Sequence, residues 1–201
     1  MTFGVSAPRG TSPASTVRLR LDGKSGYATT GSAVVDTTDS FTLGVVVRLA
    51  DSEPAGPVTV RFQPGKHTDV FTVRHDPSVH AWQLVMPRKD RAGAPEVVVS
   101  RSEAPDGGEG PGHRLAVAYD DATDRIKLHL DGCTNDGATA SFPGSPPSSG
   151  ALRIGRSHVG DGRGDHLHGD VDEVQAYAVA PRAVWSTPTT DGAVRCCTTA
   201  G

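Results

Sequence analysis

Three carboxylates fall within four residues in the stretch Gly169-Asp-Val-Asp-Glu-Val-Gln-Ala-Tyr177. Paired acids are what glycoside hydrolysis needs, one to protonate the leaving oxygen and one to attack or to activate water. The next polar residue of the stretch, Gln175, is an amide that cannot give up and recover a proton at neutral pH, so it cannot serve as the acid/base. Alternation along a strand would put Asp172 on the side of Val174 and Ala176, the apolar side. A carboxylate held there requires an ion pair, a hydrogen bond or a cation.

Other groups are less pointed. His166 and His168 stand two apart, a spacing that could present both to a transition metal from one strand face, but no third or fourth ligand is marked. Asp161-Gly-Arg163-Gly-Asp165 reads as a glycine-rich turn closed by aspartates. As a calcium loop it fails, because Arg163 stands where an oxygen ligand belongs. No histidine is placed beside a candidate nucleophile, so triad chemistry has no support. Of the three cysteines, Cys196 and Cys197 are adjacent and bridge each other only with strain. An oxidising compartment would pair Cys133 with one of them; a reducing one would leave three thiols. No CxxC supports a structural zinc site.

The segments that must position these groups are short and β-like. Val17–Asp22 alternates apolar and polar residues, and Tyr27–Thr30 offers it a partner across a turn. Phe41–Leu49 is a long, nearly continuous apolar run suited to the centre of a sheet. Further strands are expected at Val58–Gln63, Asp69–Arg74, His80–Met86, Glu96–Ser100, Leu115–Tyr119, Arg125–Leu130, Ala138–Phe142, Leu152–Gly155 and Val171–Val179, with loops between. No amphipathic segment of helical period interrupts them. The pattern predicts an all-β chain folded as a two-sheet antiparallel jelly-roll sandwich.

Composition agrees. A chain of 201 residues with 24 glycines, 15 prolines and 5% aromatics suits one sandwich of many tight turns. Residues 1–16 read as a linker, 17–186 as the domain and 187–201 as a polar tail. A net charge of −3 gives no global field for nucleic acid. The longest apolar candidate, Leu43–Val47, is only strand-sized, so no membrane insertion is expected. The N-terminus shows no basic segment followed by an apolar core, so no signal peptide is visible, and a cytoplasmic location stays open.

The order of motifs carries a resemblance. Leu21-Asp-Gly23, Tyr27, Val35-Asp-Thr37, Ser40-Phe-Thr-Leu43 and Arg48-Leu49 resemble the opening of the bacterial, actinobacterial-type laminin-G-like domain, a concanavalin A-like jelly roll. Leu115–Asp120, Ile126–Gly132, Leu152–Arg156 and Gly169–Tyr177 resemble its continuation. The chain departs from that pattern at Val46 and at Gly112-His113, where such domains carry tryptophans; Trp82 lies within a strand pattern and reads as core.

The resemblance implies a lectin-like, non-catalytic recognition module that binds a glycan or a protein surface as part of a larger extracellular or cell-surface protein. The alternatives are a structural spacer domain and a degenerate jelly-roll glycoside hydrolase. It further implies a structural Ca²⁺ joining the first and last strands, with Asp22 and Asp172 as ligands; otherwise both aspartates cap turns. Binding residues concentrate on loops held by a rigid frame, which directs attention to Arg101–His113 and Ser157–His168. Arg101, His113, Arg163, Asp165, His166 and His168 are the candidate ligand contacts in those loops.

Overall fold

The computed structural model describes residues 18–105, 107–108, 110–131, 138–159 and 162–179, leaving out the side chains of residues 158, 159, 162 and 163. Fourteen strands run through them: β1 (Leu19–Asp22), β2 (Ala28–Thr29), β3 (Phe41–Leu49), β4 (Val58–Pro64), β5 (Asp69–Asp76), β6 (Ala81–Pro87), β7 (Glu96–Ser102), β8 (His113–Asp120), β9 (Arg125–Leu130), β10 (Ala138–Ser141), β11 (Arg153–Ile154), β12 (Ser157–Val159), β13 (Gly162–Gly164) and β14 (His168–Tyr177). Twelve of them build two six-stranded antiparallel sheets, in the orders β1-β14-β3-β8-β9-β10 and β2-β11-β4-β5-β6-β7, and β12 pairs with β13. The expected fold class is the observed one. Among the described residues there is no helix, and so none long and apolar enough to cross a membrane.

Alternation explains the layers. In β3 the residues Leu43, Val45 and Val47 face inward, as do Leu115, Val117 and Tyr119 in β8, all nearly inaccessible. Phe71 and Val73 of β5 and Trp82, Leu84 and Met86 of β6 meet them from the other sheet. Each such side chain contributes about 1.5–3 kcal/mol on burial, so this interleaving dominates the stability. Trp82 is fully buried, as its strand pattern implied.

Between the sheets lies a buried cation. Arg61 of β4 is completely buried, and its guanidinium donates to the backbone carbonyls of Gly44 (3.0 Å) and Leu43 (2.7 Å) on β3. Desolvation pushes its pKa down to about 9, which still leaves it cationic at neutral pH. Its position follows from a bulge: the pairing of β4 with β5 slips between Thr59 and Arg61, turning Arg61 inward beside Val60.

A second bulge overturns an expectation. In β14 the register against β3 runs Asp172 to Val46 and then Gln175 to Gly44, three residues against two. Glu173 takes up the extra residue with φ 48°. Simple alternation would have put Asp172 with Val174 and Ala176. The slip instead puts Val171, Val174 and Ala176 toward the core and Asp170 and Asp172 on the outer face.

Two further expectations are corrected. The stretch expected as one loop, Ser157–His168, contains the β12–β13 hairpin and the first residue of β14. Its glycine-rich composition hides three-residue strands. His113, expected in a loop, opens β8 and is buried at 3% exposure. Cys133, Cys196, Cys197 and Trp185 lie outside the described residues, as do the outer limits expected for the linker, domain and tail.

Candidate functional site

Register creates a charged row that no local motif announces. Arg20 of β1 stands opposite Asp170 of β14, and Asp170 stands opposite Arg48 of β3. All three project outward, because their neighbours Leu21, Val171, Val47 and Leu49 point into the core. The Asp170 carboxylate receives the Arg20 Nε at 2.8 Å and Nη2 at 3.1 Å, a forked pair. Arg48 Nη1 lies 3.8 Å from its other side. The side chains of Asp170 and Arg48 are 9% and 11% exposed, whereas that of Arg20 is 83% exposed.

Arg48 also donates through Nε to the Gly110 carbonyl and through Nη2 to the Pro111 carbonyl at 2.8 Å. That fastens the segment before β8 against β3. The Gly108 amide adds a bond to the Leu49 carbonyl at 2.7 Å. β14 can lie this close to β3 because residue 169 is glycine: a Cβ there would sit 2.0 Å from the Arg48 carbonyl oxygen.

The result is a pocket of about 230 Å³ lined by Arg20, Arg48, Ala50, Gly108, His168 and Asp170, among others. His168 Nδ1 lies 3.3 Å from Asp51 Oδ2 at the rim, with both side chains more than half exposed. The Arg20 hydrogen bonds hold the Asp170 carboxyl below the ordinary carboxylate range, with Arg48 assisting against a burial penalty. Asp170 is therefore an ionised linker between arginines. It is not a proton donor at neutral pH.

The other two acids of the cluster are also engaged. Asp172 Oδ1 accepts the Glu173 amide at 2.7 Å, and Glu173 pairs with Arg114 at 3.1 Å. Gln175 accepts the Tyr177 hydroxyl at 2.9 Å. Each acid of this strand thus has a hydrogen-bond or ion-pair partner.

The remaining expected residues scatter. Asp22 Oδ1 accepts the backbone amides of Lys24, Ser25 and Gly26 at 2.8–3.0 Å, and these bonds hold its pKa far below the usual value. It stands opposite His168, four residues before Asp172 on β14, about 13 Å along the strand. A calcium shell shared by Asp22 and Asp172 is not what this register builds; Asp22 caps its turn. Asp165 receives the Ser157 hydroxyl at 3.1 Å, and its carbonyl takes the Thr59 amide. His166 precedes β14 and is half-buried, so it shares no strand face with the exposed His168. Arg163 belongs to β13. Arg101 lies on β7 opposite Trp82, half-buried.

Of the expected contacts, only His168 reaches the pocket, where it meets Gly108 from the other expected loop. Arg20, Arg48 and Asp51 were missed. Their signal was faint: Arg48 is the one cation in the apolar run Phe41–Leu49, and Arg20 lies on the polar face of its strand.

Residues 22–183 match the family model Laminin_G_3, described as the concanavalin A-like lectin/glucanases superfamily. The chain belongs to this family. No curated protein matches it. Among solved structures, this laminin-G-like domain is similar to domains LG4-5 of the mouse laminin α1 chain, with TM-score 0.60 and 13% identity over 79% of this chain. It spans 40% of that laminin chain. The SAP-like pentraxin of Limulus polyphemus gives TM-score 0.61 and 10% identity, covering 82% of this chain and 76% of the pentraxin. The CBM40 of the Ruminococcus gnavus IT-sialidase, bound to α2,3 sialyllactose, gives TM-score 0.51 and 11% identity over 72% of this chain and 79% of its own. A sialidase chain is among the matches too. At these identities the likeness shows the fold alone.

Proposed function

We propose that this laminin-G-like domain is a non-catalytic recognition module that takes the anionic group of a glycan in the Arg20–Arg48–His168 pocket. One observation carries the reading: a row of fixed charges opens into a pocket where two surface segments meet, with two arginines and one carboxylate among its lining residues. Asp170 neutralises one arginine, Arg48 is held by carbonyls, and exposed Arg20 keeps donors for a ligand. Arginine suits planar carboxylates because its donors are forked. A volume of about 230 Å³ is small beside pockets of roughly 300–1,000 Å³ that enclose drug-sized ligands, so a single acidic sugar is the fitting size.

Fold-level analogy lends support: the carbohydrate module similar to this chain is described with sialyllactose bound. The laminin and pentraxin likenesses support a further part of the proposal, that the domain belongs to a larger extracellular or cell-surface protein. Against hydrolysis stands the engagement of Asp170, Asp172 and Glu173 described above.

Isothermal titration with sialyllactose, a uronic-acid oligosaccharide and neutral lactose tests the proposal. Saturable binding of an acidic sugar, weakened at least about tenfold by Arg20→Ala while lactose stays silent, is the expected result. No binding of either acidic sugar, or binding indifferent to Arg20, would overturn it in favour of a spacer domain or a different surface.

A further inference from the structure

His113 has an electrostatic problem that its surroundings pose and one ion would solve. Its ring is 4% exposed, with Nδ1 2.9 Å from Asp131 Oδ2 and Nε2 3.1 Å from the Ala104 carbonyl. A carbonyl oxygen can only accept, so Nε2 must carry the proton. Nδ1 faces the Asp131 carboxylate at 2.9 Å, so a proton or a metal ion lies between them. Glu103 adds a second carboxylate: ligand atoms of Glu103, His113 and Asp131 all lie within 4.8 Å of one another. Some cation must stand at Nδ1.

We propose that this cation is a divalent transition metal of the zinc class, bound by His113, Asp131 and Glu103 with water completing the shell. A proton on Nδ1 would bridge to Asp131 alone, whereas a divalent ion can also take Glu103 as a ligand and balance both carboxylates. Imidazole favours zinc-like metals over calcium or magnesium, which prefer oxygen. The Nε2–H bond to the Ala104 carbonyl is the outer contact that metal-binding histidines use to fix their tautomer. Asp131 is held as well: its Oδ1 accepts the Arg114 amide at 2.8 Å, and its own amide donates to the Arg114 carbonyl, leaving Oδ2 for the ion.

The geometry needs a small adjustment. Ligand atoms around a tetrahedral ion at about 2.0–2.1 Å stand about 3.3 Å apart. The 2.9 Å pair must open by a few tenths of an ångström and the exposed Glu103 must swing in, a motion its flexible side chain permits. On the buried side the ring packs on Trp82 (5.4 Å), with His75 beyond it (5.0 Å from Trp82) held neutral by desolvation. The site is independent of the glycan proposal. It does anchor the segment after β7, whose Gly108 lines the pocket and whose Gly110 and Pro111 carbonyls hold Arg48.

The test is titration of the metal-free, untagged, thiol-alkylated protein with Zn²⁺ at pH 7.5, alongside Glu103→Gln and Asp131→Asn. Glu103 is exposed, so its variant keeps the fold and a thermal melt checks it. One saturating equivalent is expected, with the dissociation constant raised at least about tenfold in each variant. Affinity should weaken as pH falls, because protons compete for His113, and Zn²⁺ should shift the Nδ1 nitrogen-15 resonance. No saturable uptake at millimolar Zn²⁺, uptake by both variants equal to that of the native protein, or a His113 ring protonated at both nitrogens with Zn²⁺ present would each overturn the proposal.

Discussion

Replacing Asp170 by asparagine keeps the shape of the residue and removes the charge between two arginines. Its bond to Arg20 is worth little, since that side chain is 83% exposed and such pairs contribute about 0.2–1 kcal/mol. Arg48 decides the outcome. Its guanidinium is 11% exposed and 3.8 Å from Asp170, and removing the charge leaves a largely buried cation with only carbonyls as partners. Hydrogen bonds and ion contacts of charged groups in such settings are worth about 1.5–3 kcal/mol. The expected total loss is thus roughly 1.7–4 kcal/mol. At about 2–4 °C per kcal/mol for a chain of this size, Tm at pH 7 should fall by about 3–16 °C.

The pH dependence gives the sharper test. Asp170 titrates below its ordinary value when folded, so its contribution is fully present above about pH 3.9 and is lost as pH falls through the lower folded value. Calorimetric melts of the native protein and Asp170→Asn should therefore differ most near pH 5–7, and the gap should shrink as pH falls below about 4. Arg20→Ala should shift Tm by no more than about 4 °C. A variant that melts with the native protein at pH 7, or a gap that does not shrink as pH falls below about 4, would refute the assignment of Asp170 as the ionised link. A loss equal in Arg20→Ala and Asp170→Asn would refute the weight given to Arg48.

Asp22→Ala should lower Tm by the same amount in EDTA and in millimolar Ca²⁺, because the residue caps three amides of its turn; a Ca²⁺-dependent difference in calorimetry would restore it as a metal ligand. Arg61→Met should cost about 2–5 kcal/mol by denaturant titration, since the Leu43 and Gly44 carbonyls lose their buried donor while the core sheds a charge. An unchanged midpoint would mean that relief of the buried charge offsets the lost bonds.

Most strand positions were legible because burial in a sandwich is written locally, as alternation between turn residues. Phe41–Leu49 and Arg125–Leu130 are strands with the boundaries their patterns give. The motif order also carried the family, since each motif is a strand with its turn. What failed to show locally was anything set by register. The bulge at Asp172–Gln175 inverts one face of β14, and it arises where β14 meets β3, more than a hundred residues earlier in the chain. The hairpin of β12 and β13 escaped because glycine and polar residues carry no alternation.

The candidate site divides along the same line. Sequence alone determined that this chain is an all-β sandwich and that His168 belongs to a surface-facing segment. Tertiary structure decided the rest: Arg20, Arg48 and Asp170 become one charged row because β14 inserts between β1 and β3, and Glu103, His113 and Asp131 converge because β7, β8 and β9 end together. The physical reason is the range of the interactions. Hydrophobic period acts between neighbours two residues apart, whereas a charge row or a ligand cluster exists only after sheet pairing has fixed which distant residues stand side by side.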